Sequence, residues 1–349
     1  MQSFKSLAAA LMLATTMSAP SLGNDSAEAK TPAQDPAFTE WLAGVRSEAL
    51  SRGIGEATLD NVLPGISPIE RVIKSDKAQP EFKETYATYL QKRVSDWRKA
   101  KGAEMVVAHA DALAAATEKY GVQGRVIAAI WGIETNYGTI PLTYSAFDTI
   151  ATLAYDKRRA DRFRRELFAA LEIVDSGYAD LDEMKSSWAG ALGQPQFMPE
   201  AYLRFAVDMD GDGHRNIWTS HADVFGSIAH YLNMNGWKGN ETWGRPVRLP
   251  KKGGADMVGQ QADGVAPPAH CKAYKTLGGW RSLADWQAAG IRRLSGDDLP
   301  AVDIAAALVV GDEDDDQAYL VYGNFCSIMR YNPAFRYALA VGLLSDTFK

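Results

Sequence analysis

Val126-Ile-Ala-Ala-Ile-Trp-Gly-Ile-Glu-Thr-Asn-Tyr-Gly138 decides how this chain folds. Ile127, Ile130 and Glu134 fall three and four residues apart, on one face of a helix. Glu134 therefore lies on the apolar stripe, not the wet one. Gly138 and Pro141 end the helix soon after, so Glu134 sits near its C-terminus. Burial disfavours a charged carboxylate, and so does the negative end of a helix dipole. Both effects raise the pKa, which a general acid working near neutral pH requires. The alternatives are a buried Glu bonded to another element, or one exposed at a frayed helix end.

Helical spacing extends outward in both directions. Residues 105–120 and 124–134 read as two helices. Upstream, Phe38, Trp41, Leu42, Val45 and Leu50 predict helix over 38–63, and Tyr86, Tyr89, Leu90 and Val94 predict another over 81–97. Residues 64–80 between them read as a turn-rich connection. Downstream, 161–175 is a charged amphipathic helix, and 222–235 is a helix stopped by Gly236. From Pro246 the texture changes to short β-type runs at 246–249, 306–310 and 318–322 among Gly- and Pro-rich turns. Residues 331–344 return to helix. The expected class is mainly α (α+β). It comprises an N-terminal helical region (37–100), a helical core (101–245), a small strand-bearing subdomain (246–322) and a C-terminal segment (323–349) returning to the core.

The chain has 349 residues, 46% hydrophobic and 23% charged, a globular balance that excludes disordered, collagen-like and coiled-coil classes. A net charge of −6 argues against nucleic acid as the main partner. Residues 1–23 read as a secretory signal peptide, with Lys5, an apolar stretch over 7–17 and small residues before Gly23. Residues 24–36 read as a flexible leader. No later stretch reaches membrane-spanning length, and an exported, soluble monomer is expected. Cys271 and Cys326 either form a disulfide in an oxidising compartment or remain two buried thiols. Phosphate-loop, dinucleotide, serine-hydrolase and zinc-protease motifs are missing from the sequence. Carboxylates remain as the reactive groups.

A second motif is Asp208-Met-Asp-Gly-Asp-Gly-His214. Alternating Asp208, Asp210 and Asp212 can converge on one hard cation, Gly213 permits the turn, and the His214 carbonyl supplies another oxygen. Thr219 stands where a bidentate Glu is usual. Asp223 either closes a longer loop or N-caps the following helix. Three crowded carboxylates repel unless a cation joins them, so a structural calcium is expected. The acidic run at 312–316 reads as a solvated loop.

Taken together these stretches resemble the membrane-bound lytic murein transglycosylase B family, glycoside hydrolase family 103. The resemblance is carried by residues 129–138, Asp148-Thr-Ile-Ala-Thr-Leu153, Ser187-Trp-Ala-Gly-Ala-Leu-Gly-Gln-Pro-Gln-Phe-Met-Pro199, the acidic loop, Asn235-Gly-Trp237 and Arg330-Tyr-Asn332. It implies a lysozyme-like helical core and a periplasmic enzyme of a Gram-negative bacterium acting on peptidoglycan glycan strands. It assigns Glu134 as the sole catalytic carboxylate. It places Ser187, Gln196, Tyr89, Tyr231, Tyr331, Asn332 and Tyr337 along the cleft, and Arg158 and Arg159 as a basic pair near the groove. Arg162 stands where some relatives carry Tyr. The reaction it implies cuts between N-acetylmuramic acid and N-acetylglucosamine and leaves a 1,6-anhydro end.

Overall fold

The computed structural model describes residues 36–77, 84–251, 254–259, 265–311 and 317–348. The expected signal peptide, all but the last residue of the expected leader and the acidic run at 312–316 lie outside the described residues. The first half is helical: α1 (Pro36–Ser51), α2 (Glu56–Val62), α3 (Glu70–Lys77), α4 (Tyr86–Arg93), α5 (Asp96–Ala108), α6 (Ala110–Tyr120) and α7 (Gly124–Thr135). A two-residue strand β1 (Tyr144–Ser145), α8 (Ala146–Tyr155), α9 (Ala160–Asp175), β2 (Lys185–Ser186), α10 (Pro199–Phe205) and α11 (His221–Met234) follow. The strand-bearing part holds β3 (Gly244–Arg248), β4 (Arg281–Ser282), α12 (Leu283–Ala288), β5 (Arg292–Arg293), β6 (Ala305–Val310) and β7 (Ala318–Val321). The chain then returns through α13 (Gly323–Tyr331) and α14 (Phe335–Ser345).

Local chemistry explains five of the helix starts. The side-chain oxygens of Thr85, Ser95, Ser145, Ser220 and Ser282 each accept the backbone N–H three residues on. Two expectations are corrected. The single helix expected over 38–63 is broken into α1 and α2 at Gly53, whose φ of 92° no L-residue adopts readily. The connection expected over 64–80 contains α3. Its two turns bury Val72, and the chain entering it docks on α8 through Ser67 N–H to Asp148 Oδ1 and Ile69 N–H to Thr152 Oγ1.

Two helical cores meet side by side. One gathers α4, α6, α7, α11, α13 and α14 around Trp131, Phe225 and Phe325. The other gathers α1, α2, α8, α9 and α10 around Phe38, Ile150 and Leu167. The residues expected as one N-terminal region are therefore shared out, with α1–α3 in the second core and α4 in the first. Tyr231 and Tyr331 pack against both cores and mark the seam.

The antiparallel sheet has strand order β4-β6-β7-β3-β5. Leu308 pairs with Leu320, and Val247 with Ala318. Alternation divides β6 and β7 between two layers. Ala307, Val309, Tyr319 and Val321 face the first helical core, while Ala306, Leu308, Ala318 and Leu320 face Trp286 of α12. The sheet thus buttresses the helical core from one side.

Candidate active site

α7 is buried on every side from Val126 to Ile133, as a helix hydrophobic all round must be. The single stripe expected from spacing is thus part of a fully packed core helix. Glu134, in its last turn, is the half-buried exception, and it opens into a cleft. Burial pushes its carboxyl up from 4.5 to about 7, while the Tyr337 hydroxyl and the Arg93 charge pull it back down. Tyr337 donates to Glu134 Oε1 at 2.6 Å. Burial and the Glu134 charge hold the Tyr337 and Tyr331 phenols well above their usual range, so both stay protonated donors. Burial pushes Tyr89 up to about 12.

The cleft is lined by Glu134, Thr135, residues 140–144, Ser186, Ser187 and Gln196. Among the described residues lining it, Glu134 is the sole carboxylate. Ser187 Oγ accepts Ala191 N–H at 3.2 Å, which shapes the loop that carries it. Gln196 adopts a left-handed φ of 56°, a strained value for a residue with a Cβ. Its Nε2 donates to Gly193 O, and its buried Oε1 has no hydrogen-bond partner. Tyr331 donates to Pro195 O at 2.6 Å, and its ring lies near-parallel to that of Tyr337 with centroids 6.5 Å apart. Tyr231 stacks at an angle on Tyr331 and donates to Arg330 O. Asn332 is buried, with Oδ1 accepting Ala334 N–H.

Of the residues expected along the cleft, Glu134, Ser187 and Gln196 line it. Tyr337 and Tyr89 face Glu134, Tyr331 and Tyr231 stack on from Tyr337, and Asn332 follows Tyr331 in the chain; these five lie off the lining. Arg158 and Arg159 do not join the cleft lining. Both pair with Asp76 of α3, a buried carboxylate, and so tie α3 to the turn before α9.

Sequence reading missed the scaffold behind the cleft. Gln194 Oε1 accepts Trp131 Nε1–H at 2.6 Å, its Nε2 donates to Trp218 O, and its own carbonyl accepts the Thr135 hydroxyl. These bonds staple the Gln196 loop onto α7. Arg98 anchors the end of α7 through Gly132 O and Asn136. No local signal announces either, because the partners lie 24 to 63 residues away. Burial also pushes Glu166 up to about 7, yet its carboxylate accepts Glu200 N–H at the start of α10 and takes no part in the cleft lining.

In the acidic loop, one carboxylate oxygen from each of Asp208, Asp210 and Asp212 lies within 4.8 Å of the others. Asp208 accepts N–H bonds from Gly211 and Gly213, which hold its carboxyl below the usual range. This convergence of hard oxygens fits a calcium-sized cation. Asp223 is not part of that triad. Its two oxygens accept Met209 N–H and Asn216 N–H, clamping both ends of the loop. Nor does it cap α11, since Ser220 does. Cys271 and Cys326 are bonded across a separation of 55 residues, fastening the loop after β3 to α13.

Residues 37–346 match the transglycosylase SLT domain. Over 237 residues the chain is 34% identical to the membrane-bound lytic murein transglycosylase B of Escherichia coli (strain K12), covering 68% of this chain and 60% of that protein. The match thus spans less than two thirds of that relative's length. SltB3 from Pseudomonas aeruginosa, solved in complex with NAG-NAM-pentapeptide, matches with a TM-score of 0.81 and 34% identity over 90% of this chain and 80% of its own. The Escherichia coli lytic transglycosylase Slt35 in complex with calcium matches with a TM-score of 0.68 and 26% identity over 90% of this chain and 93% of its own. The lysozyme-like arrangement expected from the sequence is the one these structures share, and the chain belongs to the transglycosylase SLT domain family.

Proposed function

We propose that this protein is a lytic transglycosylase that cleaves peptidoglycan glycan strands with Glu134 as its single acid and base. The carrying observation is a cleft whose described lining holds one carboxyl group, poised near 7 by burial. Two-carboxylate hydrolysis needs a second acid within about 5–10 Å. The binding of a muropeptide by SltB3 supports a glycan occupant here.

In this reading, protonated Glu134 gives its proton to the glycosidic oxygen, and the bond from that oxygen to C1 of N-acetylmuramic acid breaks. The departing N-acetylglucosamine keeps the proton as a 4-hydroxyl. The cationic C1 is stabilised by the sugar's own acetamido oxygen, which Tyr331 and Asn332 orient. Glu134, now a carboxylate, takes the proton of the muramoyl C6 hydroxyl as that oxygen closes on C1. The product is a 1,6-anhydro end, Glu134 is protonated again, and no water is consumed. An intramolecular nucleophile avoids most of the entropic cost of recruiting water. Tyr337, already bonded to Glu134, steadies the carboxylate form. Gln196 and Ser187, on the cleft lining, are polar partners for the glycan.

Calcium would be held by Asp208, Asp210, Asp212 and the His214 carbonyl, with Asp223 bracing the loop. It would supply rigidity rather than chemistry. A relative solved in complex with calcium supports the choice of ion. Among the described residues no helix is long and apolar enough to cross a membrane. The disulfide suits an oxidising compartment, in keeping with a periplasmic protein. Mass spectrometry of digested sacculi tests the reading. Anhydromuramoyl ends, lost in Glu134→Gln, are expected. Reducing ends alone would mean a hydrolase, and undiminished cleavage by the variant would reject the site.

A further inference from the structure

Arg98 is 6% exposed, yet its side chain is not held by a carboxylate. Nε donates to Gly132 O at 3.0 Å, Nη1 to Lys92 O and Arg93 O at 3.0 and 2.6 Å, and Nη2 to Asn136 Oδ1. Lys92 and Arg93 are the last residues of α4, and Gly132 lies in the last turn of α7. The guanidinium thus sits between the negative ends of two helices. Each end carries about half a negative charge, so the pair offsets about one cation. A buried charge that would otherwise be costly is thereby compensated by backbone dipoles.

The two helices carry the chemistry. α4 bears Tyr89 and Arg93, and α7 bears Glu134. The backbone of Arg98 grips the same turn: its carbonyl accepts the Tyr137 hydroxyl at 2.7 Å. Tyr137 and Asn136 both hold left-handed φ values, 60° and 50°. The Tyr137 ring lies so close over Gly132 that a Cβ there would meet it at 2.5 Å. The turn that ends in Glu134 is therefore held from three sides by Arg98 and what Arg98 bonds.

We infer that Arg98 is a positioning residue for Glu134, a buried cation that neutralises the ends of α4 and α7, locks Tyr89 and Glu134 in one relation and leaves the carboxyl able to release its proton as well as hold it. This rests on Glu134 being the reacting carboxyl. The groups that face Glu134 are Tyr337 of α14, Tyr331 of α13, and Tyr89 and Arg93 of α4. Those that face Arg98 are Arg93, Tyr89 and Tyr137. Without the Arg98 charge, only Arg93 and the Tyr337 hydroxyl counter the α7 end, and the protonated form of Glu134 gains.

The test uses the full chain with Arg98→Gln and Arg98→Lys. Infrared difference spectra against Glu134→Gln follow the Glu134 carboxyl through its titration, beside kcat, KM and melting temperature. In R98Q the titration should move up by about one pH unit, and kcat should fall about tenfold with KM within about twofold. R98K keeps the charge but not the planar fork, so the titration should stay near wild type and kcat should fall about threefold. An unmoved titration in R98Q overturns the assignment. So does a loss of activity that tracks only the loss of folded protein. Should R98Q not fold, wild-type kcat in R98K overturns it. A wild-type chain that cuts no glycan, with the R98Q shift intact, would reject the proposed function and leave this inference standing.

Discussion

Replacing Glu134 by Gln should make the protein more stable in alkali, and by an amount the structure sets. The folded carboxyl titrates at about 7 against an ordinary value of 4.5. A raised folded pKa means that the native state holds a proton the unfolded chain has already lost. Between pH 4.5 and 7 the native state binds more protons, so stability falls as pH rises through that window. At 1.36 kcal/mol per unit the whole window is worth about 3 kcal/mol. Gln carries no titrating proton and still accepts from the Tyr337 hydroxyl. Glu166, also raised to about 7, is present in both proteins and cancels. Urea unfolding of wild type and E134Q at several pH values gives the difference directly. It should grow by about 3 kcal/mol in favour of E134Q between pH 4 and pH 8. Parallel pH dependences in the two proteins would refute the claim that burial strains this carboxylate.

Other perturbations address the surroundings. Tyr337→Phe removes the donor that holds Glu134 down, so the alkaline limb of kcat/KM should move up by about one pH unit, and an unmoved limb refutes the role of that bond. Adding calcium to stripped protein should raise the melting temperature, and Asp210→Ala should abolish the rise; equal shifts in both proteins would discount the loop. Cys326→Ser opens a loop closed over 55 residues and should cost about 4 kcal/mol in urea unfolding under non-reducing conditions. Gly132→Ala drives a methyl into the Tyr137 ring and should cost about 1–3 kcal/mol together with lost turnover; a stable, active variant would show that this turn yields.

Much of the molecule was legible from local pattern. Helical spacing located α7 and Glu134 near its end, and the three β-type runs became β3, β6 and β7. Alternating aspartates gave the converging loop oxygens. Each of these signals lies within about a dozen residues, where chain geometry alone relates side chains. Reading failed where punctuation hid an element. Pro64, Gly65 and Pro68 masked the short α3, which tertiary contacts with α8 hold in place.

Spacing placed an acid on a core helix, but it could not tell Glu134 from Glu166. Both are carboxyls on well-packed helices, and burial pushes both to about 7. Only the folded chain turns one toward a cleft and the other onto a backbone amide. The same holds for cations. Arg158 and Arg159 are taken up by Asp76, while Arg98, unremarkable in sequence, holds the end of the Glu134 helix. The partner of Glu134 itself, Tyr337, lies 203 residues away. Periodicity carries which face of an element is apolar; which polar groups meet across elements is decided by packing, since charge and hydrogen bonding act over a few ångströms of space rather than along the chain.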